Sequence, residues 1–139
     1  MSKIAIVYWS GTGNTEAMAN FVADGAKAAG CEVDMFGTDD LGTFDSEKAG
    51  DYEAIAFGCP SMGSEQLEEM DFEPMWDGVK DFLNGKKIFL FGSYGWGDGE
   101  WMRSWEEGAP CAIEGTFICN EAPDDDAEAA LKEMGAKMA

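Results

Sequence analysis

Three short apolar segments, each followed at once by a loop that contains glycine, constrain the fold of this 139-residue chain more than any other feature. They span residues 4–8, 52–57 and 88–91. Strands that are apolar at nearly every position are typical of a parallel sheet, because helices cover both faces of such a sheet. Two other segments, 31–36 and 112–119, alternate apolar and polar residues, and we expect them at the sheet edges.

Helical patterns separate the five predicted strands. Apolar residues recur at three- and four-residue spacing in three segments, 18–26, 72–83 and 130–138. Glycines and charges blur the same period in 39–50 and 100–109, which we predict as weaker helices. The alternation of strands and helices requires a parallel sheet with helices on both faces. With the apolar strands in the centre, the order is 2-1-3-4-5, a doubly wound α/β fold that binds ligands where strands one and three end.

The charge balance excludes several kinds of partner. The chain has 9 Lys and Arg against 28 Asp and Glu, a formal net charge of -19, so its surface repels nucleic acids and anionic membranes. No apolar run approaches the ~20 residues of a membrane helix, and the N-terminus lacks the features of a secretory signal. The four cysteines form no C-x-x-C pair and there is no histidine, so we expect reduced thiols and no metal site. We therefore expect one monomeric, cytoplasmic domain over residues 1–139.

The loop after the first strand predicts a phosphate site. It consists of Ser10, Gly11, Thr12, Gly13, Asn14 and Thr15. Hydroxyls, an amide and backbone N–H groups at a helix N-terminus form a nest for a phosphate. The loop has no lysine, which excludes a Walker A site, and Glu16 stands where the dinucleotide fingerprint needs a small residue. A phosphomonoester held by neutral donors remains, the alternative being a glycine-rich loop that merely turns the chain.

The loop after the third strand supplies groups suited to a flat ligand. It contains Pro60, Ser61, Met62, Gly63, Ser64 and Glu65. Met62 offers a polarizable surface to an aromatic ring, and Glu65 offers an acceptor to a ring N–H. In isolation such a loop is usually only a turn, but its expected position beside the phosphate loop favours a binding role.

The loop after the fourth strand adds aromatic residues. It contains Ser93, Tyr94, Gly95, Trp96 and Gly97. Because glycines flank Tyr94 and Trp96, we expect these rings to stack on a planar ligand rather than to pack in the core. The tryptophans in helical segments, Trp76, Trp101 and Trp105, are expected in the core instead. The three loops together predict a mononucleotide with a large flat base.

The motifs in these loops, read in order, resemble those of the short-chain flavodoxins, and the resemblance covers essentially the whole chain. It implies a non-covalently bound FMN and a low-potential one-electron carrier that shuttles between a reductase and an acceptor. The phosphate would be bound by Ser10, Thr12, Asn14 and Thr15. The flavin ring would lie between Trp96 and Met62, with Glu65 on its N3–H and the Gly63 backbone near N5. Asn120, after the fifth strand, would lie near the ribityl chain.

Other functions fit the sequence less well. A small FMN-dependent flavin or quinone reductase would need a second anion-binding site for NAD(P)H, and no second phosphate loop or basic anchor is visible. A phosphoacceptor signalling domain would need acids at the end of the first strand, where Tyr8, Trp9 and Ser10 stand. We therefore expect a carrier rather than an enzyme, and redox partner proteins with basic docking surfaces.

Overall fold

The sheet of the computed structural model, which describes residues 3–62, 66–95 and 97–139, confirms the predicted strand order. Its strands are β1 (Lys3–Tyr8), β2 (Glu32–Phe36), β3 (Ala54–Gly58), β4 (Lys87–Tyr94) and β5 (Gly115–Asn120). All five are parallel and lie in the order β2-β1-β3-β4-β5. Every residue of β3 is buried, whereas β2 and β5 are partly exposed along their length, as expected for a covered centre and two edges.

Helices cover both faces of the sheet. The α-helices are α1 (Asn14–Ala28), α2 (Ser46–Ala49), α3 (Phe72–Val79), α4 (Glu100–Gly108) and α5 (Asp125–Lys137). Side chains of α1 and α5 form one apolar core with the sheet, and those of α2, α3 and α4 form the other. Trp76, Trp101 and Trp105 are buried in this second core, which confirms their predicted packing role. In the part of the chain that the structure describes, no helix is long and apolar enough to cross a membrane.

The weak helical pattern at 39–50 is not one helix. The structure has a 3-10 segment at Thr38–Thr43 and then the single turn of α2. Asp45 separates them, because its carboxylate accepts a hydrogen bond from the Lys48 N–H at 2.9 Å and so starts a new helix. The helix predicted over 72–83 is α-helical only as far as Val79 and ends in a 3-10 turn, Lys80–Phe82.

The fourth strand is longer than its apolar segment, which corrects the prediction that Ser93 and Tyr94 belong to a loop. Both residues continue the ladder with β5, where Ser93 is paired with Cys119 and Tyr94 with Asn120. Gly92 permits this extension, because a side chain there would overlap the carbonyl oxygen of Cys59. The ladder with β5 therefore holds the polar residues at the carboxyl end of β4 in fixed positions.

Candidate functional site

A cavity of about 430 Å³ opens at the carboxyl ends of the strands, where the winding of the sheet reverses. Nine of the predicted site residues line it, and they come from all three segments that the sequence singled out: Gly11, Thr12, Asn14, Pro60, Ser61, Met62, Ser93, Tyr94 and Gly95. Trp9 and Glu121 complete the described lining. The nine residues thus share one cavity, and their role in binding a ligand stays a prediction.

The first loop is folded around the side chain of Ser10. Its Oγ accepts hydrogen bonds from the backbone N–H groups of Gly13 at 3.1 Å and of Glu16 at 3.3 Å. The Ser10 N–H donates to the hydroxyl of Thr38 at 2.8 Å, and that hydroxyl donates to the Ser10 carbonyl at 3.2 Å. The loop is thus closed internally by Ser10 and tied to the segment after β2 by Thr38.

The N-terminus of α1 faces this loop. Gly13 precedes the helix with φ +98°, a left-handed conformation that suits glycine. Gly13 has no side chain with which to cap the helix, and Ser10 Oγ accepts one N–H of the first turn, that of Glu16. The first N–H groups of a helix lack partners within it and attract anions. Thr12 is exposed and Asn14 half-buried, and both line the cavity, whereas the side chain of Thr15 is buried.

The second loop is anchored to the core through Cys59. The Cys59 N–H donates to the Phe91 carbonyl at 3.1 Å, and its carbonyl accepts from the Trp101 indole N–H at 3.2 Å. Burial raises the pKa of the Cys59 thiol, so this cysteine is a structural residue and not a nucleophile. Beyond it, the Ser61 N–H donates to the Ser93 carbonyl at 3.0 Å, which joins the second loop to the third.

Four predicted site residues, Gly63, Ser64, Glu65 and Trp96, lie outside the described residues. Their expected contacts with the ring therefore stay predictions. The described residues just before and after Gly63 are held together by a hydrogen bond from the Met62 N–H to the Gln66 carbonyl at 2.9 Å. This bond joins the two described residues that flank the segment 63–65.

Tyr94 and Asn120 differ from their predicted placement. The Tyr94 ring packs against Trp101, with centroids 5.7 Å apart, so the expectation that it avoids the core was wrong, although it also lines the cavity. Asn120 is the last residue of β5 and does not follow the strand. Its amide donates to the Tyr94 carbonyl at 3.2 Å, and the residue is not among those that line the cavity. Ser10, Gly13, Thr15 and Gly97 do not line it either.

Three residues at the site were missed by the sequence argument. Trp9 places an aromatic ring on the cavity wall, and its position directly after a buried strand was the available signal. The sequence around Thr38 gives no indication of its role, because that role is a contact with Ser10, which is 28 residues away in the chain. Glu121 lines the cavity with φ +58°, an uncommon conformation for a residue other than glycine, and its N–H donates to the Tyr94 carbonyl at 2.8 Å.

The lining of the cavity combines two kinds of chemistry. The Thr12 hydroxyl, the Asn14 amide and the start of α1 offer neutral donors to an anion. Trp9, Met62 and Tyr94 offer apolar and aromatic surface to a flat ring. The described lining includes no lysine or arginine. The volume of the cavity falls in the range of small-molecule sites. The volume and the residues present together fit a phosphorylated ligand with an aromatic ring system.

Comparison with known proteins assigns the family. The flavodoxin family model matches residues 6–133. The chain is 47% identical to a flavodoxin of Megasphaera elsdenii over 95% of both chains. It is 42% identical to a flavodoxin of Clostridium beijerinckii over 96% of this chain and 97% of the other. The chain belongs to the flavodoxin family. It is an FMN-binding electron carrier, and the alternative of a flavin or quinone reductase is not favoured.

The fold comparison agrees with this assignment. The solution structure of two-electron reduced Megasphaera elsdenii flavodoxin matches with a TM-score of 0.85 and 44% identity, covering 96% of this chain and 98% of that one. The doubly wound sheet with the order 2-1-3-4-5, which the sequence predicts and the structure contains, is therefore that of a flavodoxin.

Proposed function

We propose that the cavity at the ends of β1, β3 and β4 holds FMN with its phosphate at the start of α1 and its ring system on the aromatic side. The observation that carries this proposal is that nine predicted residues from three separate segments of the chain line one cavity beside the N-terminus of α1. Bound there, FMN supplies one-electron oxidation and reduction, and the chain supplies binding and environment.

The residues divide the binding between them. Thr12 and Asn14, with the first N–H groups of α1, would bind the phosphate, and Ser10 would hold the loop in shape from inside. Trp9, Met62 and Tyr94 would cover the ring, joined by Trp96 and Glu65. Asn120 would act through the Tyr94 carbonyl, to which its amide donates. The neutral donors recognise the phosphate by hydrogen bonding and by the helix dipole rather than by ion pairing.

We propose further that the chain is a carrier without a substrate of its own, working as a monomeric cytoplasmic domain. An NAD(P)H-dependent enzyme needs cations for the dinucleotide phosphates. In the described part of the chain, Lys80, Arg103, Lys132 and Lys137 pair with acids, while Lys86 and Lys87 donate to backbone carbonyls. None of these cations lines the cavity.

A low potential for the second reduction follows from the charge around the cavity. FMN bound in the cavity would gain negative charge in that reduction, and the described lining includes the carboxylate of Glu121 and no cation to balance it. We expect Glu121→Gln to raise this potential by about 30 mV. A unit charge ~8 Å away in a largely aqueous medium contributes about 0.7 kcal/mol, and a one-electron couple shifts by ~59 mV for each tenfold change in equilibrium.

Spectroelectrochemistry of the parent and two variants measures this effect. Glu114→Gln is the matched control, because Glu114 carries the same charge next to the opposite end of β5. It is expected to change the potential by less than a third of the Glu121 effect, since screening reduces the contribution of distant charges. Equal shifts in both variants would show that the net charge acts as a whole and that Glu121 has no local effect.

The docking surfaces of the redox partners are expected to be basic. Thirteen of the 28 acidic residues lie between 39 and 81, and only Lys48 and Lys80 oppose them there. Opposite charges accelerate diffusional encounter, so electron transfer to a small basic cytochrome c is expected to slow about tenfold between ~20 mM and ~200 mM salt. Stopped-flow mixing measures the rate constant, and a flat salt profile would contradict electrostatic docking.

A further inference from the structure

A second groove, of about 400 Å³, lies between α3 and the residues 41–46 that follow β2. Buried side chains of Leu41, Phe44 and Met75 form its apolar floor. Met70 lines it and is 82% exposed, so a large apolar side chain stands almost fully in solvent at a groove that is itself apolar. We refer to this groove, lined by Leu41, Phe44, Met70 and Met75, as the Met70 groove.

The charges along the Met70 groove have one sign. Asp45 and Asp71 line it, and its described lining includes no lysine or arginine. The nearby Lys80 is paired with Asp77 at 3.0 Å, and the Lys48 ammonium lies 5.8 Å from the centroid of the Phe36 ring. A second copy of the chain, which has a formal net charge of -19, would place acidic residues against Asp45 and Asp71, and like charges repel. Charge complementarity therefore selects a partner with an apolar side chain surrounded by lysines or arginines.

Both walls of the Met70 groove lead to loops of the cofactor cavity. One wall begins at Thr38, whose hydroxyl accepts from the Ser10 N–H at 2.8 Å. The other wall follows Gln66, whose carbonyl accepts from the Met62 N–H at 2.9 Å. The two walls leave β2 and β3 at their carboxyl ends, where the cavity opens. A protein seated in the groove would thus contact segments that continue into two loops of the cofactor cavity.

We propose that the Met70 groove is where electron-transfer partners dock, each inserting one apolar side chain within a ring of basic residues. The proposal rests on the carrier function given above and assigns its docking site. Methionine suits this role, because its flexible thioether adapts to surfaces of different shape and so permits more than one partner. Apolar contact in the groove adds affinity, while the acids set the rate of encounter.

The test uses the reduced holoprotein and excess oxidised cytochrome c, a small basic haem protein, in stopped flow. The dependence of the rate on cytochrome concentration gives a half-saturation concentration and a limiting rate. Met70→Gln is expected to raise the half-saturation concentration about fivefold with an unchanged limiting rate, since it weakens docking and leaves the cofactor site intact. Phe82→Gln is the matched control, because Phe82 is also exposed, at 59%, and does not line the groove.

A second pair of variants tests the groove by filling it. Gly78 lines the groove and has open space where a side chain would start, so Gly78→Gln is expected to reproduce the effect of Met70→Gln. Gly108→Gln is the control, because Gly108 also lies in a helix with open space around it and lies outside the groove. FMN affinity is measured for all four variants and is expected to match that of the parent.

Four outcomes would overturn the proposal. Groove variants that dock like their controls would show that the partner binds elsewhere. A parallel loss of FMN affinity would place the effect in the cofactor site. A parent dimer in sedimentation that Met70→Gln dissociates would make the groove a self-association surface. A parent that transfers no electron to the cytochrome would contradict the carrier function itself, and this proposal with it.

Discussion

Replacing Gly92 with alanine is expected to destabilise the protein by about 3 kcal/mol and to weaken cofactor binding with it. A Cβ at this position would overlap the carbonyl oxygen of Cys59 and lie 3.1 Å from the Trp101 ring. That carbonyl accepts the hydrogen bond of the Trp101 indole at 3.2 Å. A backbone carbonyl cannot avoid the added methyl group by changing rotamer, as a side chain could. The chain at the carboxyl ends of β3 and β4, where the second and third loops begin, would therefore have to move apart.

Thermal unfolding of the apoprotein measures this effect without the contribution of the ligand. A loss of ~3 kcal/mol corresponds to a fall of about 10 °C in Tm for a chain of this size. Gly78→Ala is the control, because Gly78 lies within α3 with open space where a Cβ would be added, and alanine is expected to stabilise that helix by ~0.5–1 kcal/mol. A Gly92→Ala variant as stable as the parent would show that the close approach of β4 to Cys59 is not a constraint.

The fold could be predicted from the sequence because burial on both faces is visible in the composition of a strand. The segment 4–8 is apolar throughout, and β1 lies inside the sheet, between β2 and β3. The extent of β4 could not be predicted in the same way. Ser93 and Tyr94 are held in the strand by their ladder with β5, a pairing between residues distant in sequence that local composition does not record.

The cavity could be predicted because strand ends in a doubly wound sheet bring their loops to one edge. What escaped prediction depends on contacts that no single segment shows. Thr38 and Ser10 are 28 residues apart, and only the fold brings the hydroxyl of one to the N–H of the other. Glu121, directly after β5, has a positive φ of 58°. The residue type gives no indication of this conformation, because residues other than glycine seldom adopt it.

The apoprotein is expected to bind FMN about a thousandfold more tightly than riboflavin, which differs from FMN only in lacking the phosphate. Each hydrogen bond to a charged group contributes ~1.5–3 kcal/mol, and the first loop offers several such donors at the start of α1. Loss of two of them corresponds to about three orders of magnitude in the dissociation constant. Quenching of flavin fluorescence during titration of the apoprotein measures both affinities.

A variant of Thr38 tests whether the loop itself makes this distinction. Thr38→Val keeps the shape of the side chain and removes the acceptor of the Ser10 N–H, so the loop loses its tie to the segment after β2. FMN affinity is expected to fall about tenfold, because a looser loop must be ordered when the phosphate binds, whereas riboflavin affinity is expected to stay the same. Thr43→Val is the matched control, because the Thr43 hydroxyl donates within the same 3-10 segment, to the Asp40 carbonyl at 2.6 Å, and does not contact the loop. If the apoprotein bound both flavins equally, or if Thr38→Val weakened both alike, the phosphate would not be held by residues 10–15.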